Sequence, residues 1–135
     1  MKKLILPIVL GLLVITSASA TEYTSNTLTS IEQSVNSLDT FFKAIKDGDY
    51  NSVKTLLESG QKVNEKQKGL TPLMFAARYN RHKIAKLLIG FGADMKAVST
   101  NGIYTPLKMA RLSKSKETYY VIKAALDKRA KVKRA

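Results

Sequence analysis

His82 is the single histidine of this 135-residue chain, and no cysteine accompanies it. It sits in the polar run YNRHK, between two apolar segments, where a turn or surface residue is expected. General acid–base work would need a carboxylate held in a dry pocket, with its pKa raised. The ten acids are Glu22, Glu32, Asp39, Asp47, Asp49, Glu58, Glu65, Asp94, Glu117 and Asp127. They are scattered, and Asp47 and Asp49 merely flank Gly48 in an exposed turn. No HExxH, GxSxG or glycine-rich phosphate loop occurs. The expectation is no catalytic residue, no metal and no cofactor.

Cations are the more informative chemistry. Lysine and arginine number 23, and the net charge is +13. Such an imbalance favours acidic proteins, anionic surfaces or nucleic acid as partners, and says nothing about fold. Residues 128–135 read KRAKVKRA, with Lys128, Arg129, Lys131, Lys133 and Arg134 and no acid. SKSK at 113–116 adds to them. This end reads either as a docking surface for anionic lipid or polymer or as a solvated basic helix end.

The elements that must position these groups begin after a leader. Met1-Lys2-Lys3, the apolar run LILPIVLGLLVI at 4–15 and the Ala18-x-Ala20 arrangement form the pattern of a secretory signal peptide over 1–20. Twelve residues with Pro7 and Gly11 fall short of the roughly 20 that a spanning helix needs. Cleavage after Ala20 would remove Lys2 and Lys3 and lower the charge to +11. Export allows disulfides, yet without cysteine stability must come from packing. Periplasmic localisation is expected, with secretion as the alternative. Export and the lack of an aromatic-lined groove motif disfavour nucleic acid.

Residues 21–29 are polar and expected to be loosely attached. TSIE at 29–32 has the form of a capping box. Ile31, Val35, Leu38 and Phe42 then fall on one helical face. Asp39 suggests a break, with one helix at about 30–38 and a second that it caps.

From Asp39 the chain repeats itself. Residues 39–60 (DTFFKAIKDGDYNSVKTLLESG) align with 71–92 (TPLMFAARYNRHKIAKLLIGFG), and TPLKMA at 105–110 opens a third copy. Pro72 and Pro106 fit the first helical position, where a missing N–H costs nothing. Ala76 and Ala77 let helices approach closely. Gly48 and Asn80 tolerate positive φ in the turns, and Gly60 and Gly92 suit left-handed caps.

These runs, with IAKLLIGFGAD at 84–94 and VKTLLESG at 53–60, resemble the ankyrin-repeat family. The resemblance covers about residues 39–126 and identifies the chain as a small, exported, bacterial-type member. It implies an all-α solenoid of about three helix–turn–helix units with short projecting loops, at about 39–68, 69–101 and 102–126. A capping helix at about 30–38 precedes them in a domain spanning 30–126, and a basic tail follows at 127–135. It implies a monomer working by protein–protein interaction, with no enzyme activity. Partners in this family dock on finger loops and first helices. Carried over, the binding residues are Lys68, Leu70, Arg78, Tyr79, Ile103 and Tyr104, with Lys46, Asp47, Lys66, Gln67, Ser99, Thr100, Asn101 and Leu112 around them. The alternative at these positions is plain structure, with Tyr104 folded under its loop and Arg78 solvated. The implied function is docking of an acidic protein, as inhibitor or regulator. Anchorage on an anionic envelope surface, or action as a secreted effector, are the alternatives. The departures are Met74 and Lys108 where the family has histidine, Ile103-Tyr104 before the TPL that opens the third copy, Arg111 for alanine, and a third turn without glycine.

Overall fold

A computed structural model describes residues 18–135, with side chains from residue 29 onward. Most of the expected leader therefore lies outside the described residues. The chain divides into two units, the second being Ser37–Ala135.

The helix α1 (Ala18–Asp47) contains all described residues of the first unit and enters the second. It takes in residues 21–29 and runs through Asp39 without a break. The break expected at Asp39 is absent because its carboxylate has another partner: the side-chain amide of Gln67 donates to it. The apolar stripe is only partly used. Phe42 is buried and Leu38 packs on the core, whereas Ile31 and Val35 are each 54% exposed.

In the second unit, the end of α1 pairs with α2 (Tyr50–Glu58), α3 (Pro72–Arg78) with α4 (His82–Gly90), and α5 (Pro106–Leu112) with α6 (Lys116–Arg134). The local causes are legible. Thr71 and Thr105 cap α3 and α5, accepting from the amides of Met74 (3.3 Å) and Lys108 (3.2 Å), with a proline just inside each helix. Asp49 caps α2, accepting from the Ser52 amide at 3.0 Å and its hydroxyl at 2.6 Å. Three inter-helix turns place Gly48, Asn80 and Lys114 at positive φ. Lys114 thus serves the glycine-free third turn. Gly48 meets a second demand, because a Cβ there would stand 3.1 Å from the Arg81 guanidinium.

Packing follows the small-residue pattern. Ala76, Ala77, Ala85 and Ala110 have no exposure, and α3 packs against α4 and α5 while α6 packs against α4 and α5. Leu73, Ile84, Leu88 and Ile122 fill the space between neighbours. The helices α2 to α5 are only seven to nine residues long, so their stability comes from the neighbours they pack against. Arg111, in place of the expected alanine, is exposed with its guanidinium 5.7 Å from the Tyr119 ring centre. The basic tail expected at 127–135 is the end of α6, which runs to Arg134. No helix among the described residues is long and apolar enough to cross a membrane.

Candidate binding groove

The stretch between α2 and α3 ends in a tight finger. Gln67 and Leu70 exchange two backbone hydrogen bonds of 3.0 Å, with Lys68 and Gly69 at positive φ between them. The next finger, after α4, closes from the Ser99 amide to the Tyr104 carbonyl at 2.8 Å. Ser99 is buried and stiffens it: its hydroxyl accepts from the Tyr104 amide (2.9 Å) and donates to Asn101 Oδ1 (2.6 Å). The fingers are tied together, since the Thr100 amide donates to the Gly69 carbonyl at 2.9 Å.

A groove of about 700 Å³ lies between these fingers and the ends of α3 and α5. Four of the carried-over binding residues line it: Lys68, Leu70, Arg78 and Tyr104. Ser99, Thr100, Asn101 and Leu112 do so too, whereas Tyr79 and Ile103 do not. Ile103 is exposed on the finger. Tyr79 is half-buried at the end of α3, its ring 6.0 Å from Phe75, with Lys46 Nζ at 5.9 Å and the Arg78 guanidinium at 5.8 Å. Tyr79 therefore lies between the Lys46 and Arg78 cations rather than in the groove. Two cations, apolar Leu70, Tyr104 and Leu112, and hydrogen-bonding Thr100 and Asn101 share the groove with no carboxylate.

The sequence marks Asn80 only for its turn conformation and does not mark Arg81, yet both brace neighbouring repeats. Arg81 donates from Nε (3.0 Å) and Nη2 (2.8 Å) to the Lys46 carbonyl, locking the second repeat to the first. Asn80 locks the second to the third. Its Oδ1 accepts from the Thr118 amide (3.3 Å) and hydroxyl (3.0 Å), and its Nδ2 donates to Glu117 at 2.5 Å. These two residues brace the turns beside His82, the first residue of α4.

The electrostatics follow these contacts. The Asn80 amide holds the Glu117 carboxyl below its ordinary range. Lys43 does the same for Asp47, and the Ser52 hydroxyl and amide for Asp49. Depressed carboxylate pKa values stabilise the fold at neutral pH, and that contribution is lost as pH falls through the folded pKa. Thermal stability is therefore expected to drop between about pH 5 and about pH 3, around and below the ordinary carboxylate values. In a Glu117→Gln variant the drop should be shallower, though not abolished, because Asp47 and Asp49 still titrate. Scanning calorimetry across that range checks it, and equal slopes for both proteins would refute the Glu117 assignment.

A family model described as ankyrin repeats in three copies matches residues 33–133. The 2-5A-dependent ribonuclease of Homo sapiens is 39% identical over 75 residues, which are 54% of this chain and 10% of that protein. Among solved structures, one of a predatory endopeptidase from Bdellovibrio bacteriovorus in complex with an immunity protein holds a similar chain. The TM-score is 0.59 at 25% identity, covering 64% of this chain and 45% of that one. The chain thus spans under half of either relative. The family match covers three quarters of the sequence and coincides with three braced helix pairs, and the chain belongs to the ankyrin-repeat family.

Proposed function

We propose that this protein is a non-enzymatic module, exported to the periplasm, that holds an acidic protein partner in the groove and acts as an inhibitor or regulator. The observation that carries the reading is the groove's lining: Lys68 and Arg78 beside Leu70, Tyr104 and Leu112, with no carboxylate to compete for them. Arginine and tyrosine are common among residues that dominate binding energy. The fingers are pre-tied by backbone bonds, so little ordering entropy opposes docking. The solved structure with a similar chain is a complex of two proteins, which supports a protein partner here. Export rests on the leader pattern of residues 1–20.

The test uses the mature chain, residues 21–135, against its partner captured from the envelope fraction at low and high salt. Lys68→Glu with Arg78→Glu should weaken binding by about 100-fold, since each reversal sets like charges against the partner. Both side chains are exposed, so the melting temperature should stay near that of the wild type. Undiminished capture by the double variant would sink the groove assignment.

A further inference from the structure

The five cations of the 128–135 run do not act as one group once α6 carries them. Successive helical residues turn by about 100°, so Arg129 and Lys133 share a face with Leu126 and Ala130, while Lys128 and Lys131 point the other way. That face closes a second recess, of about 250 Å³, against the segment Asp94-Met95-Lys96 that follows α4.

The segment is held firmly. The side chain of Asn64 accepts from the Asp94 amide at 2.8 Å and donates to the Gly92 carbonyl at 3.4 Å. The Asp94 carboxylate accepts from the Lys96 amide at 2.8 Å, and Met95 is buried beneath. The recess thus presents Lys96, Arg129 and Lys133 over an apolar floor of Met95, Leu126 and Ala130. Ion pairs among the described residues employ Lys43, Lys54 and Lys123, and none of these three cations. The one carboxylate present, Asp94, keeps its charge while one of its oxygens accepts from the Lys96 amide, and it forms no ion pair with these cations. Three cations outnumber the one carboxylate in the recess, and the surplus positive charge attracts an anion.

We propose that this recess is a binding site for a phosphate group carried on a short apolar stem. The Arg129 guanidinium offers the planar fork that engages two phosphate oxygens, and the two ammonium groups supply point charges. The apolar floor receives the stem. A flat anionic surface fits less well, because it could reach only one side of a helix whose cations lie on both. The site is separate from the finger groove, with which it shares no lining residue.

Inorganic phosphate is the first probe, titrated at constant ionic strength while amide resonances are followed by NMR. Saturable shifts confined to residues 94–96 and 126–133 are expected. Lys96→Gln with Arg129→Gln should weaken the binding at least about tenfold, and Lys128→Gln with Lys131→Gln by less than about twofold. All four side chains are exposed, and unchanged melting temperatures confirm intact folds. Vesicles of phosphatidylglycerol in phosphatidylcholine identify the source. Sedimentation with them that requires Lys96 and Arg129 assigns a lipid phosphate, and saturable phosphate binding without sedimentation assigns a soluble ester. Unsaturable shifts spread over every lysine-rich surface, or equal loss from both double variants, would overturn the site.

Discussion

Replacing Asn80 by alanine is expected to cost about 3 kcal/mol of unfolding free energy, from two separable causes. Asn80 has φ +54°, a conformation that costs alanine about 1 kcal/mol more than asparagine. The second cause is α6. Ser115, at the N-terminal boundary of that helix, makes no side-chain capping bond. Asn80 supplies the missing acceptor from the neighbouring repeat, bonding the Thr118 amide in the first turn and the Thr118 hydroxyl. Thr118 has no exposure, so removing its partner leaves buried polar groups unmet at about 1–3 kcal/mol. Against a total of roughly 5–15 kcal/mol for a domain, this is a large fraction. Asn80→Gly separates the causes: it keeps the backbone conformation accessible and loses only the bonds, so it should recover about 1 kcal/mol. Urea unfolding with an unchanged m value measures both. Equal stability of wild type and Asn80→Ala would show that the turn is held by something else.

How far the sequence could be read depended on the distance between partners. Thr71, Pro72, Thr105 and Pro106 act within one helical turn, so their spacing announces the helix starts. Gly60 and Gly92 act within the last turn, and both are left-handed as their positions imply. Asp39 misled for the complementary reason. A lone acid before an apolar run looks like a cap, but the side chain that claims it, Gln67, lies 28 residues away. Arg81 and Asn80 were equally opaque as braces, since their partners Lys46 and Thr118 lie 35 and 38 residues distant. Of the carried-over residues, Lys68, Leu70, Arg78 and Tyr104 come together along one groove, because the two fingers are tied side by side. Tyr79 departs from it because the residue after Arg78 on a short helix turns toward the previous unit. The basic run near the end of the sequence gave its charge but not its division, which needs the helical rotation of α6 and the folding back of Lys96.

Phe42→Ala should have the largest effect of any exchange considered, about 3–5 kcal/mol. Its ring is 2% exposed and meets two others edge-on, Phe41 with centroids 5.9 Å apart and Phe75 at 4.7 Å. Truncation removes the transfer energy of a buried ring, both aromatic contacts and the filling of that space. The position matters as much as the size. In a stack of repeats each repeat depends heavily on its neighbours, and three repeats leave little to spare. Phe42 and Phe75 form the seam between the first and second. Loosening it should let the first pair open before the rest, so unfolding probed near Tyr50 should precede unfolding probed near Tyr119. The wild type should show one coincident transition. The damage also reaches the groove, because Phe75 supports Tyr79 and Tyr79 lies against Arg78. Phe42→Leu keeps most of the volume and should lose less than half as much. A loss below about 1 kcal/mol for Phe42→Ala, or coincident transitions in that variant, would mean that the seam between the first two repeats is held mainly by the Arg81–Lys46 brace.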